Sequence, residues 1–270
     1  MIPKENQGGG PMNRTTFNQK SEFVNAMRIE IEGIPCMVYR PIGEKKGYPT
    51  VIYYHGWSSC KDFQVFKGEV LASYGYQVIM PDAIHHGERE PIDHQQEGML
   101  EKYFRKVLLQ SVEESEIILR YVRKELAVEK NRIAVMGHSM GGFISSGVFV
   151  KDQDLKTVIV LNGSSAWSIV EDEMRETGTE DDLTPKEEER LRQFDPYHHL
   201  DALKGRPVCL IHGEKDSAVP IEGQEEFYHK LEEIYRENPE KIRFFKVPRM
   251  DHYISTGMFE ESISWLKNHL

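Results

Sequence analysis

Short apolar runs rich in β-branched and aromatic residues recur along the chain at 50–55, 77–82, 132–138, 155–162, 206–213 and 242–248. Each has the length of a buried strand, and the segments between them can hold a crossover helix, so the alternation predicts a mostly parallel sheet covered on both faces. Ahead of them, 27–32 and 35–40 predict an antiparallel hairpin turning at Gly33. From Leu100 through Phe104, Leu108, Val112, Ser115, Leu119 and Val122, apolar or small residues recur at three- and four-residue steps. Arg105, Lys106, Glu113 and Glu116 fall off that stripe, which predicts one helix or two in line. Residues 220–237 and 258–269 predict further helices, the first opening on Pro220 and stopping before Asn238-Pro239.

Residues 164–203 break the rhythm, being too long for a simple connection. From Glu171 to Arg192 they carry ten acidic residues against four basic ones. Such an excursion is either a solvated helical insertion or a lid that shapes a pocket. Residues 1–22 are polar, contain Gly8-Gly9-Gly10-Pro11 and lack the apolar core of a secretory signal, so they are expected to be a flexible tail. The rest, 23–270, has the size of a single α/β domain.

Composition narrows the partners. A formal charge of -10 repels phosphate backbones, and no basic stripe with interleaved aromatics offsets it, which argues against nucleic acid. No apolar run is long enough for a membrane span. Cys36, Cys60 and Cys209 form neither a disulfide framework nor a zinc motif, and fit a reducing cytoplasm.

The chemistry begins at Gly137-His138-Ser139-Met140-Gly141. This G-x-S-x-G sequence ends an apolar strand and opens onto Phe143, Ile144, Val148 and Phe149, the apolar face of a helix. In such an elbow the serine is held in a strained turn, and the flanking glycines leave room where the backbone bends most sharply. A serine hydroxyl needs a base within hydrogen-bond reach and an acid to orient that base. In the order Ser, Asp or Glu, His, each after a later strand, Asp216 is the expected acid and His252 the expected base. Glu214 is the second choice for the acid. Asp251, adjacent to His252, reads as a turn residue. His138 and His212 flank motif glycines and read as structural. An oxyanion requires two backbone donors. Met140 N–H, at a helix start, is one; Trp57 N–H, after the strand-ending His55-Gly56, is the other. Trp57, Phe143 and Trp167 are candidates for the substrate pocket, and equally for core packing. The pairs His85-His86 and His198-His199 lack the spacing of a metal set, and Asp82 is expected to brace its turn.

These motifs resemble the α/β-hydrolase superfamily, in particular its dienelactone-hydrolase and prolyl-oligopeptidase-like branch of small serine esterases. The residues that carry the resemblance are His55-Gly56-Trp57, Pro81-Asp82, His86-Gly87-Glu88-Arg89, the segment 137–142, Asp195-Pro196-Tyr197, the segment 212–216 with Val219-Pro220, and Asp251-His252. The resemblance implies an eight-stranded sheet with its second strand antiparallel, and the roles already assigned to Ser139, Asp216, His252, Trp57 and Met140. The chain departs from dienelactone hydrolases in using Ser139 where they carry cysteine, and from oligopeptidases in leaving no room for a propeller before Met27.

The expected activity is therefore a carboxylesterase acting on small or medium esters, with a small-molecule substrate and no metal or organic cofactor. A peptidase or amidase, a thioesterase, and a binding protein that has kept the fold without the reaction are the alternatives.

Overall fold

The computed structural model describes residues 21–43, 47–176 and 184–270. The expected tail therefore lies almost wholly outside the described residues, as does the middle of the acidic insertion, including Glu180, Asp181 and Asp182.

The chain opens with β1 (Val24–Ile31) and β2 (Ile34–Pro41), an antiparallel hairpin in which Ile31 faces Ile34 across Glu32 and Gly33. Both turn residues have positive φ, which the glycine adopts without strain. The other strands are β3 (Tyr48–Tyr54), β4 (Gln77–Pro81), β5 (Val128–His138), β6 (Thr157–Leu161), β7 (Val208–Gly213) and β8 (Ile242–Val247). Among the described residues they form one sheet in the order β1-β2-β4-β3-β5-β6-β7-β8. β2 pairs antiparallel with both neighbours and β3 to β8 are parallel, as the resemblance implied. β5 starts four residues earlier than the apolar run suggested, and its pairing with β3 shifts register between Tyr48 and Thr50.

The helices are α1 (Val65–Ser73), α2 (Met99–Glu125), α3 (Met140–Lys151), α4 (Trp167–Glu176), α5 (Pro185–Phe194), α6 (Glu222–Ile234) and α7 (Thr256–His269). α2 is a single helix of 27 residues. None is long and apolar enough to cross a membrane, among the described residues.

Two-residue periodicity divides the sheet residues between two cores. Ile52, Ile79, Val135, Val158 and Leu210 face α2, α3 and α6, while Val51, Val78, Ala134, Ile159 and Cys209 face α1 and α7. Burying each Val, Leu or Ile side chain contributes about 1.5–3 kcal/mol, so these central strands, closed to water on both faces, are the rigid platform of the molecule. The ends of β3, β5, β6, β7 and β8 emerge on one edge of that platform, where open α/β sheets place their sites. α1, preceded by the 3-10 turn Lys61–Gln64, was not foreseen: its apolar residues Val65, Phe66, Val70, Leu71 and Ala72 do not gather on one face, and Gly68 interrupts it.

Asp82, at the end of β4, fixes the loop that follows. Its buried carboxylate accepts from Lys61 Nζ at 2.8 Å, Lys61 N at 2.8 Å and Glu88 N at 3.1 Å, the brace expected of it. A buried ammonium is costly unless paired, and Lys61 is paired with both Asp82 and Glu88.

Candidate active site

Ser139 sits between β5 and α3 with φ 57 and ψ -126, a conformation that L residues rarely hold outside functional turns. The turn closes only because Gly137 and Gly141 lack side chains. A Cβ on Gly137 would overlap the Gly141 carbonyl, and one on Gly141 would overlap the Tyr54 carbonyl. Ser139 N donates to the Leu161 carbonyl at 2.9 Å, which ties the elbow to β6.

The loops after β7 and β8 bring Asp216 and His252 to this serine. His252 Nε2 is 2.9 Å from Ser139 Oγ, and His252 Nδ1 is 2.7 Å from Asp216 Oδ2 and 2.9 Å from Oδ1. Nδ1 therefore carries the proton toward the carboxylate and Nε2 is free to accept from the hydroxyl. Burial alone would raise the Asp216 pKa. Hydrogen bonds from His212, His252 and the Val219 N–H outweigh it and hold the carboxyl well below its ordinary range. Ala218 N and Val219 N both donate to Asp216 Oδ1, at 2.9 and 2.8 Å.

The competitors fall elsewhere. Asp251 accepts from Ser217 N, Ser217 Oγ and His252 N, each at 2.8 Å, and so serves as the turn residue it was read to be. Glu214 is exposed. His212 is buried, with Nε2 donating to the Val219 carbonyl at 3.0 Å and lying 3.3 Å from Asp216 Oδ2, a brace for the acid loop. His138 packs 5.0 Å from the His252 ring, and burial with the neighbouring His252 lowers its pKa to about 3, so it stays neutral.

Two backbone segments beside Ser139 carry the oxyanion candidates. Met140 opens α3, where the first N–H groups have no intrahelical acceptor. Gly56 approaches so closely that a Cβ on it would sit 3.3 Å from Ser139 Cβ, which brings the 56–57 backbone beside the nucleophile. His55 holds that loop: its Nδ1–H donates to the Gly56 carbonyl at 2.9 Å while Nε2 accepts from Ala83 N at 3.1 Å. The Trp57 indole packs edge-on against His86 and His94.

Next to Ser139 and His252 lies a cavity of about 240 Å³ with mostly apolar walls. Trp57, Phe143 and Trp167 all line it, as the sequence suggested they could. Leu100, Phe104, Leu108, Val170 and Val219 line it as well and were missed. The first three lie on the apolar stripe of α2: Leu108 belongs to the core as well as to the cavity wall, Phe104 packs against the core, and Leu100 is partly open to solvent. α4, near the start of the segment 164–203, supplies Trp167, Val170 and Glu171 to the cavity. Glu171 is anchored there by Arg105, at 2.9 Å. Cys60 is buried, and that burial raises its pKa, which disfavours the thiolate.

Comparison with known proteins agrees with this geometry. The profile of the prolyl oligopeptidase family matches residues 110–270, and that of the family described as "Putative esterase" matches 32–165. "Putative esterase YitV" of Bacillus subtilis is 29% identical over 89% of this chain and 97% of its own length. "Esterase YjfP" of Escherichia coli is 27% identical over 89% and 97%. The crystal structure of TT1662 from Thermus thermophilus superposes with a TM-score of 0.75 at 20% identity, covering 91% of this chain and 97% of that one, and so shares the fold.

Proposed function

The chain belongs to the prolyl oligopeptidase family of serine hydrolases, and from that premise we propose that it is a carboxylesterase cleaving small or medium esters through an acyl-enzyme on Ser139. The observation that carries the reading is the unbroken contact from Asp216 through His252 to Ser139 Oγ at the mouth of an apolar cavity. Two relatives covered over nearly their whole length bear the name esterase, which favours an ester over an amide.

In this mechanism His252 takes the Ser139 proton as Oγ attacks the ester carbonyl. Asp216 holds the imidazole in the required tautomer and stabilises its cation. Negative charge on the carbonyl oxygen is met by the N–H groups of Trp57 and Met140. Collapse of the intermediate breaks the bond to the alcohol, which leaves with the proton from His252. Water then attacks the acyl-enzyme with His252 again as base, and Ser139 is restored. The acyl chain occupies the cavity walled by Phe143 and Trp167, and α4 acts as its lid. No step calls for a metal or organic cofactor. The three cysteines are free and buried, which suits the cytoplasm as the site of action.

A fluorophosphonate should label Ser139, and a panel of p-nitrophenyl esters of graded acyl length should be hydrolysed with a preference for short chains. Ser139→Ala should lower kcat by about four to six orders of magnitude. A variant that kept most of its turnover would overturn the assignment, and faster cleavage of matched anilides than of esters would move it to an amidase.

A further inference from the structure

His252 also lines a second cavity, which shares no other lining residue with the apolar one. This groove, of about 440 Å³, runs between α1 and α7 and is walled by Phe66, Val70 and Tyr74 from α1 and by Tyr253, Phe259 and Ile263. Three of these aromatic rings stand open to solvent, Phe66 at 73%, Tyr74 at 51% and Tyr253 at 71% exposure, although large apolar side chains are ordinarily withdrawn from water. Lys67 is the cation among the residues that line the groove, while Lys267 on α7 lies over the outer Tyr74 ring at 5.0 Å. Lys67 on α1 is half-buried, and its Nζ donates to Gln64 Oε1 at 2.7 Å and faces the Tyr53 ring at 5.9 Å. No carboxylate among the described residues pairs with it, and burial lowers its pKa. Lys67, His138 and His252 line the same groove, so the ammonium lies on the approach to the reacting centre. Glu260, on the α7 wall, is exposed to water.

The chemistry of ester cleavage assigns an occupant. The departing oxygen must come within hydrogen-bond reach of His252 Nε2 to collect its proton, so the alcohol portion has to lie along the His252 ring. The apolar cavity is needed by the acyl chain, and the groove is the other space that the His252 ring borders. Its walls suit a flat or bulky apolar body, and a half-buried ammonium without an ionic partner gains most from an anion.

We propose that this groove is the leaving-group subsite and that Lys67 within it selects esters whose alcohol portion carries a carboxylate on an apolar body. The inference rests on the esterase reading above and names the substrate class for it.

The test compares two butyrate esters of matched phenol acidity, that of 3-(carboxymethyl)phenol and that of its N-methylamide, so that only the charge differs. The wild type should prefer the carboxylate ester by about tenfold in kcat/KM, and raising ionic strength from about 0.02 to 0.5 M should erode that preference as the Debye length shrinks. In Lys67→Met the ratio should collapse to about one, and in Lys67→Arg it should persist. Phe66→Ala with Tyr253→Ala should slow both aryl esters relative to methyl butyrate. A wild-type ratio near one, a ratio insensitive to salt, or a ratio unchanged in a folded Lys67→Met would overturn the subsite. If the neutral aryl ester is not hydrolysed, or is hydrolysed equally well by Ser139→Ala, the esterase reading itself fails. Ser139-dependent cleavage with a charge preference independent of Lys67 removes the subsite alone.

Discussion

Asn162, at the end of β6, donates through Nδ2 to the carbonyl of Tyr253 at 3.0 Å, bridging 91 residues of chain. The same side chain accepts from Gly213 N at 3.0 Å through Oδ1. One fully buried amide thus ties the root of the Asp216 loop to the segment just after His252, with its own backbone at φ 44, a conformation asparagine tolerates better than most residues. Asn162→Ala leaves a buried donor and a carbonyl without partners, so it should cost about 1–3 kcal/mol in urea unfolding. It should also lower kcat, because the imidazole loses part of its support. Unchanged kcat would mean that the loops are held by other contacts.

Asp216→Asn preserves the shape of the acid but reverses its hydrogen-bonding sense toward Nδ1. Turnover should fall by about 10⁴, as it does where an imidazole is forced into the wrong tautomer. The wild-type carboxyl also has a native pKa below its unfolded value, so its contribution to stability is complete above the ordinary carboxylate range and is lost only as pH falls below it. Acid denaturation curves should show the variant losing less stability over that interval than the wild type.

His86 is wholly buried, and burial together with the neighbouring His55 lowers its pKa to about 3. Unfolding restores an ordinary imidazole, which binds a proton below about pH 6.5. The folded state is therefore penalised progressively as pH drops from about 6.5 toward 3, by up to about 1.4 kcal/mol per pH unit for one fully shifted proton. His86→Phe, which keeps an aromatic ring against Trp57, should flatten the stability curve between pH 6 and 4. Parallel curves for variant and wild type would show that His86 is not held neutral.

Gly141→Ala should prevent the elbow from forming, since the added methyl overlaps the Tyr54 carbonyl of rigid β3. Relief needs β3 and α3 to separate. The melting temperature should therefore drop by far more than the about 4 °C ordinarily seen for a 1 kcal/mol change, with loss of activity.

Leu108 is 1% exposed and forms part of the cavity wall. Leu108→Ala should cost about 2–5 kcal/mol of stability and lengthen the preferred acyl chain, as read by kcat/KM across graded esters. A preference that stays fixed would place the acyl chain elsewhere.

Much of this molecule is written locally in its sequence. The strand runs, the amphipathic period of α2 and the G-x-S-x-G elbow depend on neighbours a few residues apart, whose sterics and periodicity act wherever the chain lies. The order Ser139, Asp216, His252 could be read for the same reason, each residue following a recognisable strand. α1 escaped notice because its helix is held by packing on β2 and β4 and carries little apolar periodicity of its own.

Tertiary structure decided the rest. Only the converging ends of β7 and β8 separate Asp216, which reaches His252, from Glu214, which faces solvent, and from Asp251, which closes a turn. Leu100, Phe104 and Leu108 share one stripe with core residues, and whether a stripe residue meets core or cavity depends on what another helix, α4, leaves open. Asn162 and Lys67 belong to no motif. Their surroundings are assembled from segments far apart in the chain, and local pattern carries no information about distances that only packing sets.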